Sequence, residues 1–248
     1  MNLAGALVVV TGGAAGLGYA IAEALQKVGA VPVILDRDQD ALDSTVGQLS
    51  CLGYAVDVTD PKAIDAVVTT VCEQHGTPQG LVNNAGILRS APLLSLGNTG
   101  NPRHSLELWN EVMAANLTSV FLVTRAVADR MVRQRVRGAI VSMSSVAARG
   151  NAGQTAYSAA KAGVEAMTRV WAKELGPLGL RFVAVAPGYV DTPSTRAAVP
   201  ADILEHLRRE TPLRRLGKPE QIAETVVFAL QNDMITGTTL AVDGGLAM

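Results

Sequence analysis

The stretch "VVVTGGAAGLGYAIAEAL", Val8 to Leu25, carries an apolar, β-branched run into a glycine-rich turn and out into a helical repeat. Val8, Val9 and Val10 form a continuous run of the kind that suits a strand covered on both faces. From Leu17 onward, apolar residues recur at Ile21, Ala24, Leu25 and Val28, the period of an amphipathic helix, and Gly29 stops it. Between the two, Gly12, Gly16 and Gly18 permit a tight turn at a helix N-terminus, where backbone N–H groups meet a pyrophosphate. A glycine turn alone says little, so its context decides. A second run, "VPVILD", ends in Asp36, near the spacing of about 20 residues that a ribose-binding carboxylate takes from such glycines. A carboxylate there accepts hydrogen bonds from both ribose hydroxyls and repels a 2′-phosphate, which favours NAD. Arg37 beside it suits a 2′-phosphate and leaves NADP open.

The same alternation fills the chain. Further strand-like runs are "YAVDV", "GLVNNAG", "GAIVSMSS", "LRFVAVAPG" and "TTLAVDG", each too continuous for a half-exposed strand, with helical periodicity between them. Repeated βαβ units with right-handed crossovers predict an α/β, doubly wound Rossmann fold with a seven-stranded parallel sheet. No linker, low-complexity tract or charge block interrupts it, so a single domain is expected over residues 1–248.

Composition narrows the function. The chain has 248 residues, 48% hydrophobic and 17% charged, with 24 Gly and a formal net charge of −1, which suits one soluble domain with a large core. Near-neutral charge argues against a nucleic-acid partner. The N-terminal "MNLAGALVVVTGG" lacks a basic segment, and its apolar run from Ala6 to Val10 is too short for a signal peptide or membrane span, so a cytoplasmic protein without a membrane partner is expected. Cys51 and Cys72 form no CxxC and have no His at ligand spacing, so free thiols are expected and no metal site. His75, His104 and His206 read as surface residues.

One further stretch bears on chemistry. In "QTAYSAAKAG", Gln154 to Gly163, Tyr157 and Lys161 stand four apart on an Ala-rich helix and share one face. Together with "TGGAAGLG", "NNAG" at Asn83 to Gly86, Asn116 inside a helix, "SS" at Ser144 and Ser145, and "PGYVDT" at Pro187 to Thr192, the ordered set resembles the short-chain dehydrogenase/reductase family over almost the whole chain. Departures are small: Ala15 stands where many relatives carry Ser or Arg, and Leu17 replaces the commoner Ile.

The resemblance implies a role for each of these residues. Tyr157 is the general acid/base, and Lys161 lowers its pKa with a positive charge and holds the nicotinamide ribose. Asn116 interrupts a long helix and holds a water beside the lysine. A serine stabilises charge on the substrate oxygen. Ser144 has the usual separation from Tyr157, whereas "SVAA" after Ser145 matches the family context better; Ser145 is chosen, and the alternative stays open. The catalytic set is therefore Asn116, Ser145, Tyr157 and Lys161. The dinucleotide, taken as NAD, is assigned to Gly12, Ala15, Gly16, Leu17, Gly18, Asp36, Arg37, Asp57, Val58, Asn84, Ala85, Gly86, Tyr157, Lys161, Pro187, Gly188, Val190 and Thr192.

The resemblance implies an NAD(H)-dependent enzyme interconverting a secondary alcohol and a ketone, with 3-hydroxyacyl or 3-oxoacyl thioesters first and other secondary-alcohol, steroid or sugar substrates behind. A non-catalytic dinucleotide sensor is the reading from another class, and the presence of Tyr157, Lys161, Asn116 and a serine argues against it. An inserted "GNTGNPRH", Gly97 to His104, reads as a loop or short hairpin; it resembles an insertion of the family's 3-hydroxyacyl-CoA dehydrogenase branch, and the alternative is a surface loop with no role. The segment 191–217 reads as a lid with apolar positions and several arginines. Surplus small apolar residues on the helices around Asn116 and Tyr157 point to a homo-oligomer, a tetramer by the family's pattern.

Overall fold

The computed structural model describes residues 1–95, 101–192, 195–196 and 201–246. Seven strands form one parallel sheet: β1 (Leu7–Thr11), β2 (Val31–Asp36), β3 (Leu52–Ala55), β4 (Gly80–Asn83), β5 (Gly138–Met143), β6 (Leu180–Pro187) and β7 (Thr238–Val242), in the order β3-β2-β1-β4-β5-β6-β7. The helices are α1 (Gly16–Lys27), α2 (Gln39–Leu49), α3 (Pro61–His75), α4 (Leu106–Met113), α5 (Ser119–Arg133), α6 (Thr155–Leu175), α7 (Ala201–Glu210) and α8 (Pro219–Gln231). The chain runs outward from β1 to β3, then returns to begin again at β4. Between β1 and β4 the winding reverses, and doubly wound sheets bind their ligands outside the strand carboxyl ends at that point.

The continuity of the apolar runs has a direct cause. Side chains alternate across a strand: Val8 and Val10 join a core with Ile21, Leu25, Val226 and Leu230 from α1 and α8. Leu7 and Val9 point the other way, into a core with Ile64, Val68, Val123, Val127 and Phe182. Both faces are covered, so both alternating sets must be apolar. The two edge strands depart from the expected burial on both faces. β3 and β7 are only partly buried, because an edge strand has a neighbour on one side only. β3 also starts earlier than "YAVDV" suggested, at Leu52, and ends at Ala55, before Asp57.

Helix starts separate structural from site-facing ends. The Asp38 carboxylate accepts from Ala41 N at the start of α2, and that of Asp60 from Lys62 N and Ala63 N at the start of α3, the ordinary capping arrangement. α1, preceded by Ala15 at the N-cap, has no side-chain cap and no acidic residue in its first turn. Its free N–H groups face the winding reversal. α4, a π-turn over Ala114–Thr118 and α5 form one continuous helix, Leu106–Arg133, long and apolar enough by length and composition to span a membrane; its most apolar window is 50% buried within this fold.

Candidate active site

At the reversal lies a cleft of about 590 Å³ lined by Gly12, Ala15, Gly16, Leu17, Asp36, Arg37, Asp57, Val58, Asn84, Ala85 and Gly86, all singled out in the sequence. Leu35, Val56, Thr59, Ile87 and Ala115 complete the lining and were not anticipated. They are the residues flanking the motifs, where periodicity carries no sign of which neighbour faces a cleft.

The glycine turn owes its shape to close approach. Gly12 and Gly16 have φ of +62° and +56°, a region L side chains rarely enter. Gly18, which does not line the cleft, is needed for packing: a Cβ there would stand 2.6 Å from Asn84 Nδ2. That amide donates to Thr11 O at 3.1 Å and Gly12 O at 2.9 Å, so Asn84 braces the turn. Thr11, which the sequence reading passed over, accepts from Asn84 N and Ala85 N, both at 3.0 Å, and ties the ends of β1 and β4 together. The hint was its place at the strand end directly before the glycines.

At the end of β2, Asp36 Oδ2 accepts from Ala14 N at 3.0 Å and Oδ1 from Asp38 N at 3.2 Å. Its carboxylate is held at the rim of the cleft. Asp57 Oδ1 accepts from the backbone and hydroxyl of Thr59, which hold its pKa below the usual carboxylate range, with Arg37 contributing to the same shift.

The four residues proposed for chemistry are brought together at the ends of β5 and α6. Ser145, at the start of a short 3-10 turn, accepts from Ala147 N at 3.2 Å, and its hydroxyl lies near the Tyr157 phenol, whose pKa it draws down against the larger effect of burial. Lys161 is buried, with Nζ 5.6 Å from the Tyr157 ring centroid and donating to Met143 O at 2.8 Å. Asn116 is 1% exposed on the π-turn; its side chain joins Ile87 N and O and Val112 O, and a Cβ on Gly86 would stand 2.4 Å from its Oδ1. Such a bulge turns a side chain out of the regular helical register.

In the chain alone, burial pushes the Tyr157 phenol upward and Lys161 down to about 8. Both groups are moved toward their neutral forms because desolvation opposes charge of either sign, and the Lys161 ammonium is turned to the Met143 carbonyl. The pair is also not the exposed contact that residues four apart on a helix make by default.

The other assigned residues lie at the end of β6. Pro187 pairs with Val242, Gly188 N donates to Val242 O, and a Cβ on Gly188 would stand 2.8 Å from Asp243 Cα. Val190 packs into the core, and Thr192 Oγ1 lies 2.8 Å from Thr195 Oγ1. None of these four lines the cleft described above. The segment read as a lid is flanked by a parallel bridge between Val190 and Gly217, and α7 within it has no buried residue. The insertion forms the limbs of a hairpin, with Leu94 bridged to Arg103 and His104 N donating to Leu93 O; its Gly97 to Gly100 lie outside the described residues. Cys51 and Cys72 are half-buried free thiols.

A doubly wound sheet with a glycine-turned cleft at its reversal, and a Ser–Tyr–Lys cluster at the next strand end, defines a nucleotide-dependent oxidoreductase class. A family model described as enoyl-(acyl carrier protein) reductase matches residues 12–247. The chain is 39% identical to the 3-oxoacyl-(acyl-carrier-protein) reductase of Thermotoga maritima, over 100% of both chains. It is 36% identical to the (3R)-3-hydroxyacyl-CoA dehydrogenase of Canis lupus familiaris, over 100% of this chain and 98% of the other. With the acetoacetyl-CoA reductase of Synechocystis the identity is 37%, over 98% and 97%. This protein belongs to the short-chain dehydrogenase/reductase family, oxidoreductases that act between an alcohol and a ketone with a nicotinamide dinucleotide. Its residues fit that group: the uncapped α1 start, the positive-φ glycines and the close Gly12–Gly18 contact leave backbone donors bare where a pyrophosphate needs them.

Proposed function

We propose that the protein is an NAD(H)-dependent oxidoreductase of 3-hydroxyacyl and 3-oxoacyl thioesters. The single observation that carries the catalytic reading is the buried Lys161, its Nζ 5.6 Å from the Tyr157 ring centroid one helical turn away, with the Ser145 hydroxyl beside the phenol. The substrate class rests on the names of three relatives that match this chain nearly end to end.

The nicotinamide, when bound, supplies the hydride or accepts it. Tyr157 gives its phenolic proton to a ketone oxygen in reduction and takes one from a hydroxyl in oxidation. Ser145 turns its donor to the same oxygen and stabilises the charge that develops there. Lys161 carries a cation into the buried site, where it favours the phenolate whenever its ammonium faces Tyr157. Asn116 holds the Ile87 backbone at the rim, beside Gly86. The preference for NAD rests on Asp36, an anion fixed where a 2′-phosphate would have to lie.

Assembly as a homotetramer is part of the same proposal. Phe121 at 43% and Val170 at 49% exposure sit on α5 and α6, and Phe228 at 49% on α8, large apolar groups that an isolated chain leaves in water.

The purified protein is assayed with NADH and with NADPH on acetoacetyl-CoA, on a trans-2-enoyl thioester and on simple ketones. Preferred turnover of acetoacetyl-CoA with NADH supports the reading. Preferred turnover of the enoyl thioester overturns it in favour of double-bond reduction.

A further inference from the structure

Lys161 and Glu165 stand four apart on α6 and share one face. Each grips one residue where β5 ends. Lys161 Nζ donates to the Met143 carbonyl at 2.8 Å, and the Ser144 hydroxyl donates to Glu165 Oε1 at 2.9 Å. The Ser144 hydroxyl also lies 3.4 Å from the Lys161 carbonyl. It has a single proton, and the shorter contact to an anion takes it. Ser144 N is committed to Val185 O at 2.7 Å. Ser144 thus turns its hydroxyl toward α6, and its neighbour Ser145 turns toward Tyr157.

The carboxylate has little other business. Its side chain is 22% exposed, and its other oxygen, Oε2, lies 4.0 Å from the guanidinium of Arg169, a surface residue. A pair that long and that wet contributes little. Withdrawing a carboxylate from water to hold one hydroxyl is costly unless the hydroxyl's place matters. We propose that Glu165 is a positioning residue: by holding Ser144 against α6 it fixes the end of β5 so that Ser145 meets Tyr157. Without it, Ser144 keeps its backbone bond to Val185 and only the longer contact to the Lys161 carbonyl, and Ser145 loses its orientation. The inference rests on the catalytic reading above.

The test compares Glu165→Ala, Glu165→Gln, Ser144→Ala and the double variant Ser144→Ala/Glu165→Ala with the parent, using the best substrate of the panel. Gln keeps an acceptor for the Ser144 proton; Ala does not. Glu165→Ala is expected to lower kcat about tenfold, within the range misplacement of a reacting group produces, with KM for the dinucleotide unchanged. Glu165→Gln is expected to restore most of the loss, and the double variant to be no worse than either single one. Parental kcat in Glu165→Ala overturns the inference, as does Glu165→Gln failing as badly as Ala. A crystal structure of Glu165→Ala with Ser145 still on Tyr157 overturns it independently of activity. Should Glu165→Ala not fold, Ser144→Ala removes the same bond from the other side. Tyr157→Phe separates the two readings: full activity in Tyr157→Phe sinks the catalytic reading, whereas an inactive Tyr157→Phe beside a parental Glu165→Ala sinks only this one.

Discussion

Gly18 lies so close to Gly12 that a Cβ built on it would stand 1.9 Å from the Gly12 carbonyl oxygen. No side chain fits in that gap, and the contact fixes the start of α1 against the turn that precedes it. Gly18→Ala is therefore expected to destabilise the protein by about 1–3 kcal/mol or more and to abolish dinucleotide binding. Gly16→Ala meets nothing within 4 Å and suffers only the strain of φ +56°, about 1 kcal/mol. Thermal melts and NADH fluorescence titrations of both variants check the order; an equal response would mean that close approach is not what the turn requires.

The two serines give a second prediction. Ser145→Ala removes the hydroxyl beside Tyr157, and a loss of about 10²–10³ in kcat is expected. Ser144→Ala acts only through position and is expected to cost about tenfold. Steady-state kinetics decide; the reverse order would assign the substrate-facing role to Ser144.

Lys161 makes a prediction with a definite sign. Its pKa is lowered from 10.5 to about 8 by burial. Between those values the unfolded chain holds a proton that the native protein lacks, so this group makes stability rise with pH across that window; below about 8 its full penalty, about 3 kcal/mol, is present. Lys161→Met removes the dependence. The Tm of the parent relative to Lys161→Met is expected to climb as pH rises from 8 toward 10.5, and melting curves that stay parallel would refute the burial of an ammonium at this site.

Asp36 sets the expected cofactor preference. Asp36→Ala loses charge-assisted bonds to a ribose, each worth about 1.5–3 kcal/mol, so NADH is expected to bind about tenfold or more weakly, while NADPH improves with Arg37 left in place. Isothermal titration with both dinucleotides measures this directly, and a parent that prefers NADPH would show Arg37 to dominate the rim.

For assembly, sedimentation velocity at micromolar concentration is expected to show a tetramer of the 25.8 kDa chain. A single species at the monomer mass excludes the proposed interfaces, and a dimer removes one of them.

What could be read without coordinates was whatever is written in periodicity and spacing. Val8 to Leu25 announced strand, turn and helix in order because a strand buried on both faces must be continuously apolar and a tight turn must be glycine. The seven runs became the seven strands of one sheet, the five inner ones for the same reason. Tyr157 and Lys161 were legible as neighbours because helical geometry is local. The tertiary structure alone decided which groups meet across the chain. Ser144 and Ser145 are indistinguishable as a dipeptide, and only the packing of β5 against α6 turns one to Glu165 and the other to Tyr157. The protonation of Tyr157 and Lys161 followed the same logic: the sequence supplies an acid and a base, but the pKa values depend on how much water the fold removes from around them. Thr11, Thr59 and Glu165 went unread because a hydroxyl or a carboxylate carries no sign of its partner until distant segments are brought within hydrogen-bonding distance.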